Sequence, residues 1–286
     1  MTRSDYAIST ATRDELDIAV EWAAAEGWNP GLHDADAFFA ADPGGYLIGK
    51  LGDEPVATIS AVRYGASFGF IGFYIVRPDY RGQGIGFQLW EAAMAQLAGR
   101  NIGLDGVVDQ QDNYRKSGFI LAHRNIRYAG RAADCVVGET TTARVKDVSS
   151  LPFDAVSAYD QAFFPEHRDA FLKHWLALPQ SHALAWVDDG MIRGYGVIRA
   201  CRNGHKVGPL FADNTHIADA LLSCLCRTVP AEDEVFLDVP EPNPAAVKLA
   251  EDRGMTLSFE TARMYTGPAP MLPLQRLYGV TTFELG

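Results

Sequence analysis

Cysteine is scarce in this sequence: four residues in 286, at Cys135, Cys201, Cys224 and Cys226, with no C-x-x-C pair. That argues against a disulfide framework and fits a reducing compartment, so a cytoplasmic location is expected. Long apolar runs are also missing. None approaches the roughly 20 residues of a membrane span, and the opening MTRSDYAISTATRDEL has no signal-peptide core, so no membrane is expected as a partner. Positive charge is short: 25 Lys and Arg stand against 36 Asp and Glu, a net charge of −11. Basic stripes and aromatic-interleaved basic patches are absent, so no nucleic-acid partner is expected. The acidic balance mildly suits cationic partners such as amines.

Metal and hydrolase signals are thin as well. His167 and His174, seven apart on a helical pattern, have no Cys or His at zinc-ligand spacing, so no metal is expected. Gly65-Ala66-Ser67-Phe68-Gly69 spells G-x-S-x-G, but a nucleophile elbow needs a strand before it and a helix after it. Strand patterns flank it on both sides, which makes Ser67 a hairpin residue.

What is present centres on residues 68–90, FGFIGFYIVRPDYRGQGIGFQLW. Phe68 to Val76 is an aromatic and β-branched run that reads as a buried strand. Pro78 ends it, because proline cannot donate to a ladder. Arg81-Gly82-Gln83-Gly84-Ile85-Gly86 follows, and then a helical pattern with Ile85, Leu89, Ala92, Ala93 and Leu97 on one face. A helix start leaves N–H groups unpartnered and carries partial positive charge, so a glycine-rich turn there can hold a phosphate. Neither a Walker A loop, which needs Lys-Ser or Lys-Thr after the glycines, nor the G-x-G-x-x-G fingerprint fits this string.

Arg81-x-x-Gly84-x-Gly86 after a strand ending Val76-x-Pro78 closely resembles the acetyl-CoA loop of the GNAT superfamily of N-acyltransferases. The resemblance implies a pyrophosphate cradle from Arg81, Gly82, Gln83, Gly84, Ile85 and Gly86. It also implies a preceding strand that splays open for the pantetheine arm. Asn113-Tyr114-Arg115-Lys116-Ser117-Gly118-Phe119 resembles the family's late N…Y-x-x-x-G-F motif, which implies Tyr114 as general acid beside the CoA sulfur and Asn113 as a CoA contact. A phenol near its ordinary pKa of about 10 is protonated at neutral pH and can donate to a thiolate. A backbone N–H at Ile75 or Val76 would polarise the thioester carbonyl. Trp28, between the first two helices, and Tyr74 on the strand are candidates for the acceptor pocket. For the general base the open candidates are Glu26, Asp34, Asp36, Asp105 and Asp109.

The rest of the chain supports two copies of one fold. Thr12 and Glu15 form a capping-box pattern for a first helix that Gly27 stops, and a second helix spans 33–41. Strands at about 46–51, 55–64 and 68–76 precede the glycine loop and its helix. A strand at 103–108, a helical turn at 113–117 and a strand at 119–128 complete the first copy. After a weakly patterned link the same order recurs from Thr142, ending in a strand at 255–265. In the second copy Gly208-Pro-Leu-Phe-Ala-Asp-Asn-Thr215 replaces the glycine loop, so no cradle is expected there.

The expected fold is therefore α/β, two tandem GNAT domains, each a mixed, mostly antiparallel sheet flanked by helices. The divisions are 1–129 for the acetyl-CoA domain, 130–141 for a linker and 142–286 for a degenerate copy. The expected activity is acetyl transfer from acetyl-CoA to a primary amine of a small molecule by direct attack in a ternary complex, in a monomer or homodimer. A CoA-binding pseudoenzyme or sensor and a protein lysine acetyltransferase are the alternatives.

Overall fold

The computed structural model describes residues 5–136 and 142–286. Strand β1 (Tyr6–Thr10) leads into helix α1 (Arg13–Ala25), where Thr12 and Glu15 exchange the two hydrogen bonds of a capping box. Then come α2 (Asp34–Ala41), β2 (Tyr46–Leu51), β3 (Glu54–Tyr64), β4 (Phe68–Val76), α3 (Ile85–Gln96), β5 (Asn101–Val107), α4 (Gln111–Lys116) and β6 (Ile120–Arg131). The second half repeats the order: β7 (Val145–Asp147), α5 (Phe153–Asp160), α6 (Asp169–Trp175), β8 (Ser181–Asp188), β9 (Met191–Ala200), β10 (His205–Ala212), α7 (Thr215–Cys226), β11 (Glu234–Pro240), α8 (Pro244–Asp252) and β12 (Thr256–Tyr265). A short β13 (Leu277–Gly279) has no counterpart in the first half.

All the strands belong to one sheet, ordered β1-β2-β3-β4-β5-β12-β6-β11-β10-β9-β8-β7, with β13 added on β10. Its middle departs from the two separate sheets that the repeat suggests. β12 lies between β5 and β6, while β6 lies between β12 and β11. Each closing strand therefore has both its neighbours in the other half of the chain. Only β4–β5 and β10–β11 run parallel, as expected for strands joined through α3 and α7. The expected linker 130–141 begins inside β6, which runs to Arg131, and residues 137–141 lie outside the described residues.

Three apolar clusters hold the helices on the sheet. One lies under α3, with Leu89, Trp90, Ala93 and Leu97 against Ile59, Ile71, Ile102 and Met264. Its counterpart under α7 gathers Leu221, Leu222 and Leu225 with Val207, Leu237 and Ile126. The third joins the halves: Phe38 of α2 stacks on Trp175 of α6 at 6.0 Å between ring centres, among Phe73, Tyr195 and Phe211. Such aromatic pairs add about 0.5–1.5 kcal/mol beyond the area they bury.

Buried ion pairs tie the same junction. Arg127 on β6 meets Asp238 on β11 at 2.6 and 2.8 Å, and Arg199 on β9 meets Asp34 on α2 at 2.8 and 3.2 Å. Burial works to raise the Asp238 carboxyl; Arg127 outweighs it and holds the group below the usual carboxylate range. Its contribution to stability is present above pH ~4 and is lost as the pH falls through the depressed value.

This topology makes a testable demand. Residues 1–136 alone would leave the edge of β5 and both edges of β6 without partners, so that fragment is expected to aggregate or stay unfolded. Mixing it with residues 137–286 is expected to restore a cooperative melt. A monomeric, cooperatively folding 1–136 fragment by circular dichroism and gel filtration would contradict the strand exchange.

Candidate active site

β4 and β5 run together only from Phe68↔Asn101 to Ile71↔Leu104, and then part. The parting opens a cleft of about 540 Å³, walled by residues 71–76 of β4 and 104–107 of β5. A bulge shapes the β4 wall: its register against β3 shifts between Thr58 and Ser60, and Phe73 takes a left-handed φ of 46°. That conformation costs a non-glycine residue on the order of 1–3 kcal/mol. Thr58 Oγ1 supports it by donating to the Phe73 carbonyl at 3.0 Å. Beyond the bulge, Arg77 N–H donates to Val56 on β3 at 3.0 Å. By the two-residue alternation of a strand, Val76 then faces its N–H toward the cleft and Ile75 faces its own toward β3.

At the mouth, Gly82 and Gly84 have φ of 74° and 83°, and open space lies where their Cβ atoms would be. Glycine is needed there for backbone conformation, and the missing side chains also leave the approach clear. Gly84 is the N-cap of α3 and supplies no capping side chain, so the first-turn N–H groups of this 12-residue helix are not capped by it. Gly86 is glycine for a different reason. A Cβ there would stand 2.8 Å from the Tyr74 hydroxyl and 2.9 Å from Val76 Cγ2.

The remaining candidates from the sequence are placed unequally. Arg81 folds back, with Nε donating to the Val76 carbonyl at 2.8 Å and its guanidinium paired with Glu26; it ties the loop to β4 and to the end of α1. Gln83 donates to the Asp79 carbonyl at 3.0 Å, and the Ile85 side chain is buried beneath α3, which leaves only its backbone to face a ligand. Asn113 sits on the exposed side of α4, bonded to Gln110 at 2.8 Å and outside the cleft lining.

Tyr114 and Tyr74 both line the cleft, on either side of Trp90, at 5.6 and 5.4 Å between ring centres. The Tyr114 ring packs against Gly106 of β5, where a Cβ would stand 2.2 Å from its Cε2. Burial, and secondarily the neighbouring Tyr74, push the Tyr114 hydroxyl up to about 12. It is therefore protonated throughout the neutral range.

Trp28 lines the opposite side, in a connection held by β6 and the second half. Arg127 Nη1 donates to its carbonyl at 2.8 Å, Lys206 Nζ to the Asn29 carbonyl at 2.9 Å, and the Asn29 amide to the Asn203 carbonyl at 2.9 Å. Among the acidic candidates, Asp34 is sealed against Arg199, Asp36 is exposed beside Arg13, and Asp109 is exposed on the turn before α4. Asp105 is locked to Arg263 of β12.

Four lining residues were invisible to local motif reading: Phe259 and Thr261 on β12, and Phe283 and Glu284 beyond β13. They come from residues more than 150 positions downstream of β5. The one available signal was the closing stretch Gly279-Val-Thr-Thr-Phe-Glu-Leu-Gly286, which belongs to none of the repeated elements.

The equivalent cleft in the second half is filled. β10 and β11 part after Val207↔Leu237, and β13 enters the gap, pairing with β10 while Val280 N–H donates to Asp238 on β11 at 2.8 Å. The Asn214 side chain caps the start of α7 by accepting from Ile217 N at 3.1 Å, where Gly84 leaves α3 open.

Two copies of a sheet that splays beside a helix start, one open and one plugged, define the class. A profile described as "Acetyltransferase (GNAT) family" matches residues 13–119, and another described as "Acetyltransferase (GNAT) domain" matches residues 156–279. The chain is 31% identical over 279 residues to the holothin acyltransferase of Pseudoalteromonas sp. (strain SANK 73390), covering 96% of this chain and 93% of that one. It belongs to the GNAT acetyltransferase family, as a tandem-domain member, and acyl transfer is its class of activity. Among solved structures, a putative acetyltransferase from Pyrococcus horikoshii superposes with a TM-score of 0.83 at 22% identity, over 100% of this chain and 98% of that one. A tandem GNAT protein from the clavulanic acid biosynthesis pathway gives 0.62 at 14% identity, over 93% and 100%. No helix among the described residues is long and apolar enough to cross a membrane.

The contact between Gly106 and Tyr114 can be tested directly. Gly106→Ala is expected to push the Tyr114 ring off β5 and to lower stability by about 1–3 kcal/mol. Thermal unfolding checks it; an unchanged melting temperature would mean that the ring moves aside freely.

Proposed function

We propose that the protein transfers an acetyl group from acetyl-CoA to the primary amine of a small molecule, by direct attack in a ternary complex. The observation that carries this reading is the open cleft between β4 and β5, with helix N–H groups left uncapped by Gly84 at its mouth and a protonated tyrosine in its wall. The residues present suit an acyl-CoA. The α3 N-terminus and the Gly82–Gly86 backbone offer donors and partial positive charge to a pyrophosphate. The edge of β4 that has parted from β5 offers main-chain groups to an extended amide chain, as an added strand would use them.

In this reading Val76 N–H donates to the thioester carbonyl oxygen, and its strand geometry favours it over Ile75 for that role. Tyr114 donates to the sulfur as the C–S bond breaks. A phenol at about 12 is a weak acid for an ordinary thiolate, but the same burial raises the basicity of a thiolate formed beside it. Trp28, Phe259 and Phe283 wall the acceptor side and leave room for a compact substrate. A relative named as a holothin acyltransferase agrees with a small-molecule acceptor.

Titration calorimetry of acetyl-CoA into the wild type is expected to give one site per chain, since β13 fills the second cleft. The site is expected to vanish in a Gly84→Asp, Gly86→Asp variant. CoA release with a panel of small amines is expected to show turnover. Binding without turnover would favour a CoA-binding sensor, and acetylation of protein lysines but not of free amines would favour a protein acetyltransferase. Tyr114→Phe is expected to lower kcat by about 10²- to 10⁴-fold with acetyl-CoA affinity nearly unchanged. An unimpaired kcat would remove Tyr114 from the chemistry.

A further inference from the structure

Three carboxylates line the cleft, and two of them are engaged. Asp105 accepts from Arg263 at 2.9 and 2.5 Å and from the Asn125 amide at 2.8 Å, while Glu26 is paired with Arg81. Glu284 differs. It is 4% exposed, and among the described residues its carboxylate has no hydrogen bond and no ion pair. A carboxylate so buried is costly to leave alone and is normally relieved by a cationic partner.

Its backbone is firmly held, so the side chain is aimed rather than adrift. Glu284 N–H and Leu285 N–H both donate to Thr282 Oγ1 at 3.0 Å. The Glu284 carbonyl packs on Gly72, where a Cβ would lie 2.2 Å from it. Gly72 stands just past the last β4–β5 pair, Ile71↔Leu104, where the cleft opens, and four residues before Val76 on the same wall. Three cations act on Glu284 through space without reaching ion-pair distance: Arg127 and Arg199 are paired with Asp238 and Asp34, while Lys206 donates to the neutral Asn29 carbonyl and, among the described residues, has no carboxylate at ion-pair distance.

We propose that Glu284 receives the acceptor amine: it holds the incoming ammonium by a charge-assisted hydrogen bond and takes a proton from it. This assignment rests on the acyl-transfer reading above. The ammonium gives one proton to the Glu284 carboxylate, which passes it to solvent. The neutral nitrogen forms the new C–N bond to the thioester carbon, the C–S bond breaks as Tyr114 protonates the sulfur, and the second nitrogen proton goes to the tyrosinate and restores Tyr114. The products are an amide, a free thiol and one released proton. An anionic receptor also selects among acceptors, favouring amines that are cationic in solution over neutral alcohols or thiols.

Glu284→Gln keeps the size of the side chain and removes the charge. With acetyl-CoA and the best amine of the panel, its kcat/KM for the amine is expected to fall by about 10²-fold or more, with acetyl-CoA affinity by calorimetry within about threefold of wild type. Glu284→Asp is expected to recover part of the loss. A Gln variant that keeps wild-type kcat/KM overturns the assignment. So does one that loses acetyl-CoA binding and melting temperature together, because Glu284 would then be holding the fold. A wild type that binds no acetyl-CoA or acetylates no amine overturns the acyl-transfer reading itself, and the assignment with it.

Discussion

Two strands pass between the halves of this chain, and the other features of the structure follow from that exchange. β6 is hydrogen-bonded on both sides by strands of the second half, and β12 on both sides by strands of the first. Backbone donors and acceptors inside a sheet must be paired, so neither half can satisfy its own centre alone. The exchange makes one sheet of two copies. It also brings β12 alongside the edge of β5 away from β4, and Phe259 and Thr261 of β12 into the lining of the cleft.

Buried charge secures the register of that exchange. Arg263 on β12 meets Asp105 on β5, Arg127 on β6 meets Asp238 on β11, and Arg199 on β9 meets Asp34 on α2, each pair crossing between the halves. Such pairs add little over well-packed apolar residues, but losing one partner costs about 3–5 kcal/mol, which penalises any slip that separates them. The same residues reach the cleft. Arg127 and Lys206 hold the Trp28–Asn29 connection through its carbonyls, so the Trp28 wall of the cleft is positioned by side chains from the shared centre and the second half.

The segment after β12 explains why two similar folds behave differently. β13 occupies the gap between β10 and β11, and the residues just beyond it line the gap between β4 and β5. One stretch of chain thus closes one cleft and furnishes the other. The second half differs for a local reason, an Asn214 side chain capping α7 where Gly84 leaves α3 open, and for a tertiary one, an occupied splay.

Much of the architecture could be read directly from residue order. The aromatic and β-branched run 68–76, the glycines at 82, 84 and 86, and the capping pair Thr12 and Glu15 are local signals, set by backbone sterics and hydrogen bonds within a few residues. They placed β4, the loop and α3 nearly to the residue, and the resemblance they carry pointed to the family. The inward bend of Arg81, the exposure of Asn113, the identity of the strands beside β5 and the arrival of Glu284 at Gly72 depend on contacts across the chain. No short window of sequence contains both partners of such a contact. The sequence by itself determined the strand, the glycine turn and the repeat; only the tertiary structure decided which copy stays open and which residues line the cleft, because strand pairing and buried charge act between residues as far apart as Asp34 and Arg199, 165 positions.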